Sequence, residues 1–368
     1  MKLKLLTAAV SLAAGLSAQA ANVQLYGQVD TGIAYTHHKV DGETFSQTQM
    51  VSSAQEATFF GLKGQETVSD GLNVGFVLIS GFESDTGSLG FNGRFFGNRS
   101  FLYVDSRDYG RISMGRLLST DTQLSSCMLP YRGVSGAPFG SWRFITASTP
   151  GRMDNTVEYK TPEFAGWQLQ AQYSFNPNVL DNNTKSFAEG SSGTDRAWNV
   201  GIRNQTGPLA VAMIVDGMNY SKVYRHAAGL THTTDGYAVT LGGSYDFGPV
   251  KVYAMTTAFK HMKNVQPKFL GQLNVFALDG YTAILSASGK LGKGELKGMA
   301  GLEDAELSYT EEKVKRELAM VTYSYPLSKR TSVYSTLAYA KQSSETTRAP
   351  MMSDAEVYGV QCGITHRF

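Results

Sequence analysis

The residues best placed to do chemistry are charged, and they alternate. Arg152, Asp154, Glu158 and Lys160 share one parity through a stretch whose intervening positions include Met153, Val157 and Tyr159. A two-residue period puts such a set on one face of a β-strand, so these charges should look onto one wet surface. Just ahead, the stretch from Leu117 to Gly151 carries Arg132 and Arg143 against a single acid, Asp121. Basic groups lining a narrow, low-dielectric passage raise the local concentration of anions. Two further charges are candidates for such a wall. Lys63 shares parity with Gln65 and fits a lower position. Arg99 is harder to place, because alternation groups it with Phe101 and Tyr103, the expected apolar face. A bulge or a rim position would reconcile it. For each of these charges the alternative is a solvated rim or loop residue.

Catalytic and metal chemistry find no comparable pattern. The six histidines are His37, His38, His226, His232, His261 and His366, most of them in polar stretches between strands. Adjacent residues on a strand point opposite ways, so a flexible loop pair is a plainer reading of His37-His38 than a metal site. No Cys/His spacing suggests zinc. Gly292-Lys293-Gly294 reads as a hairpin turn, not a phosphate cradle. A hydrolase serine would need an activating histidine beside it, and nothing in the sequence pairs the two. Cys127 and Cys362 lie far apart, and two unpaired thiols are a better reading than a disulfide. The sequence therefore asks for no cofactor, metal or catalytic residue. A net charge of +2 leaves no gross basic surface for nucleic acid.

The elements that must position the charges are strands. Residues 1–20 are set aside as an export signal: Lys2 and Lys4, an apolar run from Leu5 to Leu16, then Ala18-Gln19-Ala20 before a mature start at Ala21. The run is too short to span a bilayer. The chain as a whole is polar, with mean hydropathy −0.20, yet holds 19 Tyr, 19 Phe and 39 Gly. That mixture suits strands with one apolar and one wet face. Trp167, Leu169, Ala171, Tyr173 and Phe175 interleave with Gln168, Gln170, Gln172 and Ser174, and Tyr237 to Phe247 alternates in the same way. Seven short turns rich in Gly, Pro, Asp and Ser fall at 69–71, 107–110, 164–166, 206–208, 247–249, 292–294 and 327–330. Eight longer polar stretches separate them, near 37–53, 84–95, 118–151, 177–194, 218–233, 263–272, 303–312 and 344–353. About sixteen strands result, with the short/long asymmetry of barrels that cross outer membranes. Closing the sheet removes its edges, which lipid demands. Apolar faces would then meet lipid and polar faces would line water. The final strand agrees: Tyr358, Val360, Cys362, Ile364, His366 and Phe368 share one face.

Several stretches resemble general porins of the β-proteobacterial and neisserial type. They are Val23-Gln24-Leu25-Tyr26-Gly27-Gln28-Val29-Asp30, Phe60-Gly61-Leu62-Lys63-Gly64 and Tyr109-Gly110-Arg111-Ile112-Ser113-Met114-Gly115-Arg116, then Asn155 to Pro162 with Phe164-Ala165-Gly166. Tyr245-Asp246-Phe247-Gly248, Leu327 to Thr331 and Gly363-Ile364-Thr365-His366-Arg367-Phe368 follow in the family's order. The resemblance implies an all-β, 16-stranded antiparallel transmembrane barrel, a homotrimer, and a third loop, about 117–151, folded into the pore. It also implies a basic wall residue near Arg152, and recognition of the strand ending at Phe368 by barrel-assembly machinery. Outer-membrane lipid and lipopolysaccharide would be its surroundings. The expected activity is passive diffusion of small hydrophilic solutes and ions, with mild anion preference. A channel specific for small acids or sugars is the alternative; a barrel hydrolase or an adhesin fits less well.

Overall fold

The computed structural model describes residues 22–131, 142–178, 194–221, 234–263, 277–309, 312–345 and 354–368. The proposed signal, 1–20, lies outside them. Alternation produces strands throughout: β1 (Gln24–Val40), β2 (Glu43–Ser52), β3 (Phe59–Ser69), β4 (Leu72–Gly81), β5 (Arg99–Ser106), β6 (Gly110–Leu118), β7 (Arg152–Lys160), β8 (Trp167–Ser174) and β9 (Arg196–Thr206) come first. There follow β10 (Leu209–Asn219), β11 (Gly236–Asp246), β12 (Val250–Lys263), β13 (Ala277–Leu291), β14 (Gly294–Leu307), β15 (Lys313–Pro326), β16 (Thr331–Glu345) and β17 (Ala355–Arg367). Each pairs antiparallel with its neighbours, and β17 returns to β1 from Gln28↔Arg367 to Val40↔Ala355, closing the sheet.

The seventeen segments make sixteen staves. β2 pairs with the upper part of β1, Thr31–Val40, and β3 with its lower part, Gln24–Gln28. They are one stave broken at residues 53–58. All seven expected short turns are present at one end of the barrel, together with the start of β1 and the end of β17. The 37–53 stretch is different from the expected loop: β1 and β2 continue as a hairpin joined at Asp41-Gly42, both with positive φ. Likewise β14 and β15 extend to Leu307 and from Lys313, which shortens the stretch expected at 303–312.

The break in the second stave has a cause. Asp30 is fully buried on the inner face of β1, where an unpaired carboxylate would be costly. The chain at 54–56 turns its amides toward it: Ala54 N at 2.9 Å, Glu56 N at 3.2 Å and Gln55 N at 3.4 Å. Tyr334 from β16 and Thr365 from β17 add hydroxyl donors at 2.9 and 2.6 Å. One carboxylate thus binds the first stave, the broken second and the last two. Asp30→Ala would strand these donors and is expected to cost about 2–3 kcal/mol. Thermal unfolding in detergent reads this, and an unchanged melting temperature would refute it.

Cys127 is buried on the inside of the wall and Cys362 exposed on the outside, and both are free. The barrel wall separates them. His37 and His38 sit on β1, not in a flexible loop, and point to opposite sides as the strand period requires: His37 Nδ1 meets Ser46 Oγ, while His38 Nε2 meets Thr36 Oγ1.

Candidate functional site

Outward faces are apolar, as alternation predicts: Leu241 is 56% exposed, Leu285 66% and Leu337 61%. The inner face departs from expectation. On the β10–β17 half it carries buried Ile214, Met255, Ile284, Met299, Leu318 and Met320, alongside alanines. What covers them are the two described stems of the 117–151 connection. Its first stem forms helix α1 (Thr120–Leu124) and a 3₁₀ turn, Ser125–Cys127; its second begins with a 3₁₀ turn, Trp142–Ile145. Leu124, Met128, Leu129, Tyr131, Trp142, Phe144 and Ile145 pack on that inner patch. The hydrophobic effect is available here because the lumen is wet, and each fully buried large side chain contributes roughly 1.5–3 kcal/mol. Glycines make the seat shallow enough: a Cβ on Gly301 would collide with Ile145, and one on Gly201 with Thr120.

Polar contacts fix the same stems. Tyr131 donates to the Lys297 carbonyl at 3.1 Å. Arg316, fully buried on β15, pairs with Glu303 of β14 at 2.9 Å and donates to the Phe144 carbonyl at 3.3 Å. Arg143 and Asp121 pair at 2.5 Å, tying one stem to the other. Glu158 accepts from Gln123 of α1 at 2.6 Å and from Gln172 at 2.7 Å, with Lys160 3.4 Å away. The wet faces of β7 and β8 thus hold the helix.

Opposite this seat lies a basic wall. Arg152 faces inward, its guanidinium 4.5 Å from the centre of the Phe91 ring and within electrostatic reach of Arg99, Arg116 and Arg143. Asp154 is bracketed by Arg94 at 2.8 Å and Arg116 at 2.5 Å. Among the described residues, four guanidiniums here share that one carboxylate, and Arg99 and Arg152 keep buried Nε groups without an acceptor. Arg99 overturns the expectation that its face meets lipid. The outward set on β5 is Leu102 and Val104, 48% and 37% exposed, while Tyr103 is 8% exposed. Its hydroxyl donates to Gln65 at 3.0 Å and the Arg111 guanidinium covers its ring at 4.4 Å. An aromatic capped in this way belongs inside, and no bulge is needed to bring Arg99 inward.

Of the other candidates, Lys63 lies lower, its Nζ 5.0 Å from the centre of the Tyr26 ring, with no acid partner among the described residues. Asp154, Glu158 and Lys160 face inward but are paired, as are Asp121 and Arg143. Arg132 lies outside the described residues. Sequence reasoning missed Arg94, Arg116 and Arg316. Parity hid Arg116: it falls with outward Ile112 and Met114, but the register slips between Gly115 and Leu117 opposite a positive-φ Asn155. Arg94 stands in the 82–98 connection, where no period applies.

Comparison with known proteins settles the family. The Gram-negative porin family matches residues 6–345. The chain belongs to the Gram-negative porin family. An outer membrane porin protein of Bordetella pertussis is 33% identical over the full length of both chains. Outer membrane porin protein 32 of Delftia acidovorans is 28% identical over 99% of this porin and 96% of its own length. The solved anion-selective porin from Comamonas acidovorans superposes with a TM-score of 0.70 at 26% identity, covering 95% of this porin and all of that chain. This porin is therefore an outer-membrane channel protein and not an enzyme.

Proposed function

We propose that this porin passes small hydrophilic solutes by passive diffusion, with mild anion preference, through a passage between the seated loop and the basic wall. One observation carries the reading: among the described residues Arg99 and Arg152 face inward without a carboxylate partner, beside two more arginines that share Asp154. Fixed positive charge in a confined passage concentrates anions. The loop's apolar seat supports a constriction pressed to one side of the barrel. The similar Comamonas acidovorans porin is described as anion-selective. In planar bilayers under a potassium chloride gradient, the reversal potential is expected to show chloride entering more readily than potassium by a small factor. Clear cation preference would refute the reading. A solute-specific channel would instead show competitive loss of ion current with its own solute.

The same reading includes homotrimers, surrounded by outer-membrane lipid and lipopolysaccharide, and assembly through the strand ending at Phe368. It also includes removal of residues 1–20 during export. Unboiled gel migration tests the trimer, and N-terminal sequencing of the mature protein tests the cleavage.

A further inference from the structure

A second basic region lies away from the arginine wall. The short-turn ends of β12 to β17 and the inward segment at 53–58 enclose a cavity of about 570 Å³. Short turns mark the periplasmic side of outer-membrane barrels, so the cavity opens at the periplasmic mouth. Lys251 and Lys297 project inward into it with Ser288 and Ser324, and Lys290 and Lys293 stand at its edge.

Its carboxylates are largely engaged. Glu295 lies 3.3 Å from Lys297, Glu56 lies 3.7 Å from Arg367, and Asp246 accepts the Gly248 amide at 2.8 Å. Among the described residues Lys251, Lys290 and Lys293 make no ion pair within 4 Å, although Asp246 and Glu295 stand opposite Lys251 and Lys290 in the sheet register. Lys251 rests its Nζ 5.3 Å from the centre of the Tyr253 ring. Gln55 bridges to Ser324 at 2.5 Å and walls one side. The lining holds five cations, Lys251, Lys290, Lys293, Lys297 and Arg367, against three carboxylates, Glu56, Asp246 and Glu295, a net charge of +2; with serine and tyrosine hydroxyls between them, these groups suit a ligand carrying several negative oxygens better than a single halide. Ammonium groups on flexible stems act as point charges toward phosphate.

We propose that this cavity is a binding station for compact multivalent anions of the phosphate class, entered from the periplasmic mouth and separate from the arginine constriction. Occupancy would obstruct the exit of the pore and lower the ion current from one side. The probe is inorganic tripolyphosphate, added to one compartment at a time while single-channel current is recorded. The native pore is expected to be blocked at lower concentration from one side than from the other. In the variant K251Q/K290Q/K293Q the half-blocking concentration is expected to rise roughly tenfold, since each semi-exposed charge contributes modestly. In R99Q/R152Q the block is expected to persist. Equal block from both sides, block unchanged in the lysine variant, or block lost only in the arginine variant would each overturn the proposal. Reversal potential is read in the same recordings, so failure of the anion preference registers separately.

Discussion

Exchanging both Arg99 and Arg152 for glutamate is expected to make the pore cation-preferring, the reverse of the proposed anion preference. Around Asp154 the described residues place four guanidiniums against one carboxylate, a local charge of +3. The double variant has two guanidiniums against three carboxylates, a local charge of −1. At an effective dielectric of about 20, an ion about 8 Å away feels on the order of 2 kcal/mol from each unit charge. Salt screens part of this, but a change of four charges should still reverse the sign. Reversal potential in a salt gradient is the measurement. R99Q/R152Q should fall between the parent and the glutamate variant, which separates charge from side-chain bulk. If the glutamate variant still admits chloride preferentially, selectivity arises elsewhere, and the reading of this wall is wrong.

The second large effect concerns the buried pair beneath the loop. Arg316→Met leaves Glu303 fully buried without its guanidinium and takes a donor from the Phe144 carbonyl. Breaking one side of a buried pair costs about 3–5 kcal/mol, whereas replacing both sides by apolar residues is often neutral. R316M should therefore melt several degrees lower in detergent and show noisier open-channel current as the Trp142–Ile145 turn loosens. R316M/E303L should recover most of the melting temperature. A single variant as heat-stable as the parent, with quiet current, would show that the pair does not hold the loop.

Much of the fold was legible because a barrel obeys one period. Gln168, Gln170, Gln172 and Ser174 turned inward opposite Trp167, Leu169 and Tyr173, and every expected short turn lies where Gly, Pro, Asp and Ser mark it. The lumen was less legible, since alternation states which side a residue faces and not what waits there. Met255, Ile284 and Met320 face inward by parity, and what covers them, the stems at Leu124–Tyr131 and Trp142–Ile145, is distant in sequence. Arg99 was misassigned because Tyr103 was read as lipid-facing, when Arg111 and Gln65 give its ring and hydroxyl an interior environment. Arg116 was lost to a single register slip. Arg152 faces inward as its parity indicates, although the β6–β7 register slips beside it; the pairing of Arg143 with Asp121 needed three dimensions.

The carboxylate of Asp30 accepts from residues near both ends of the chain, Ala54 and Glu56 on one side, Tyr334 and Thr365 on the other. A growing sheet that lacks its final strands offers that anion only part of its solvation, and hydrocarbon offers none. Insertion of a half-built cylinder therefore carries a penalty that vanishes when the last strand docks. Shutting the seam between β17 and β1 is thus also what completes the acid's ring of donors.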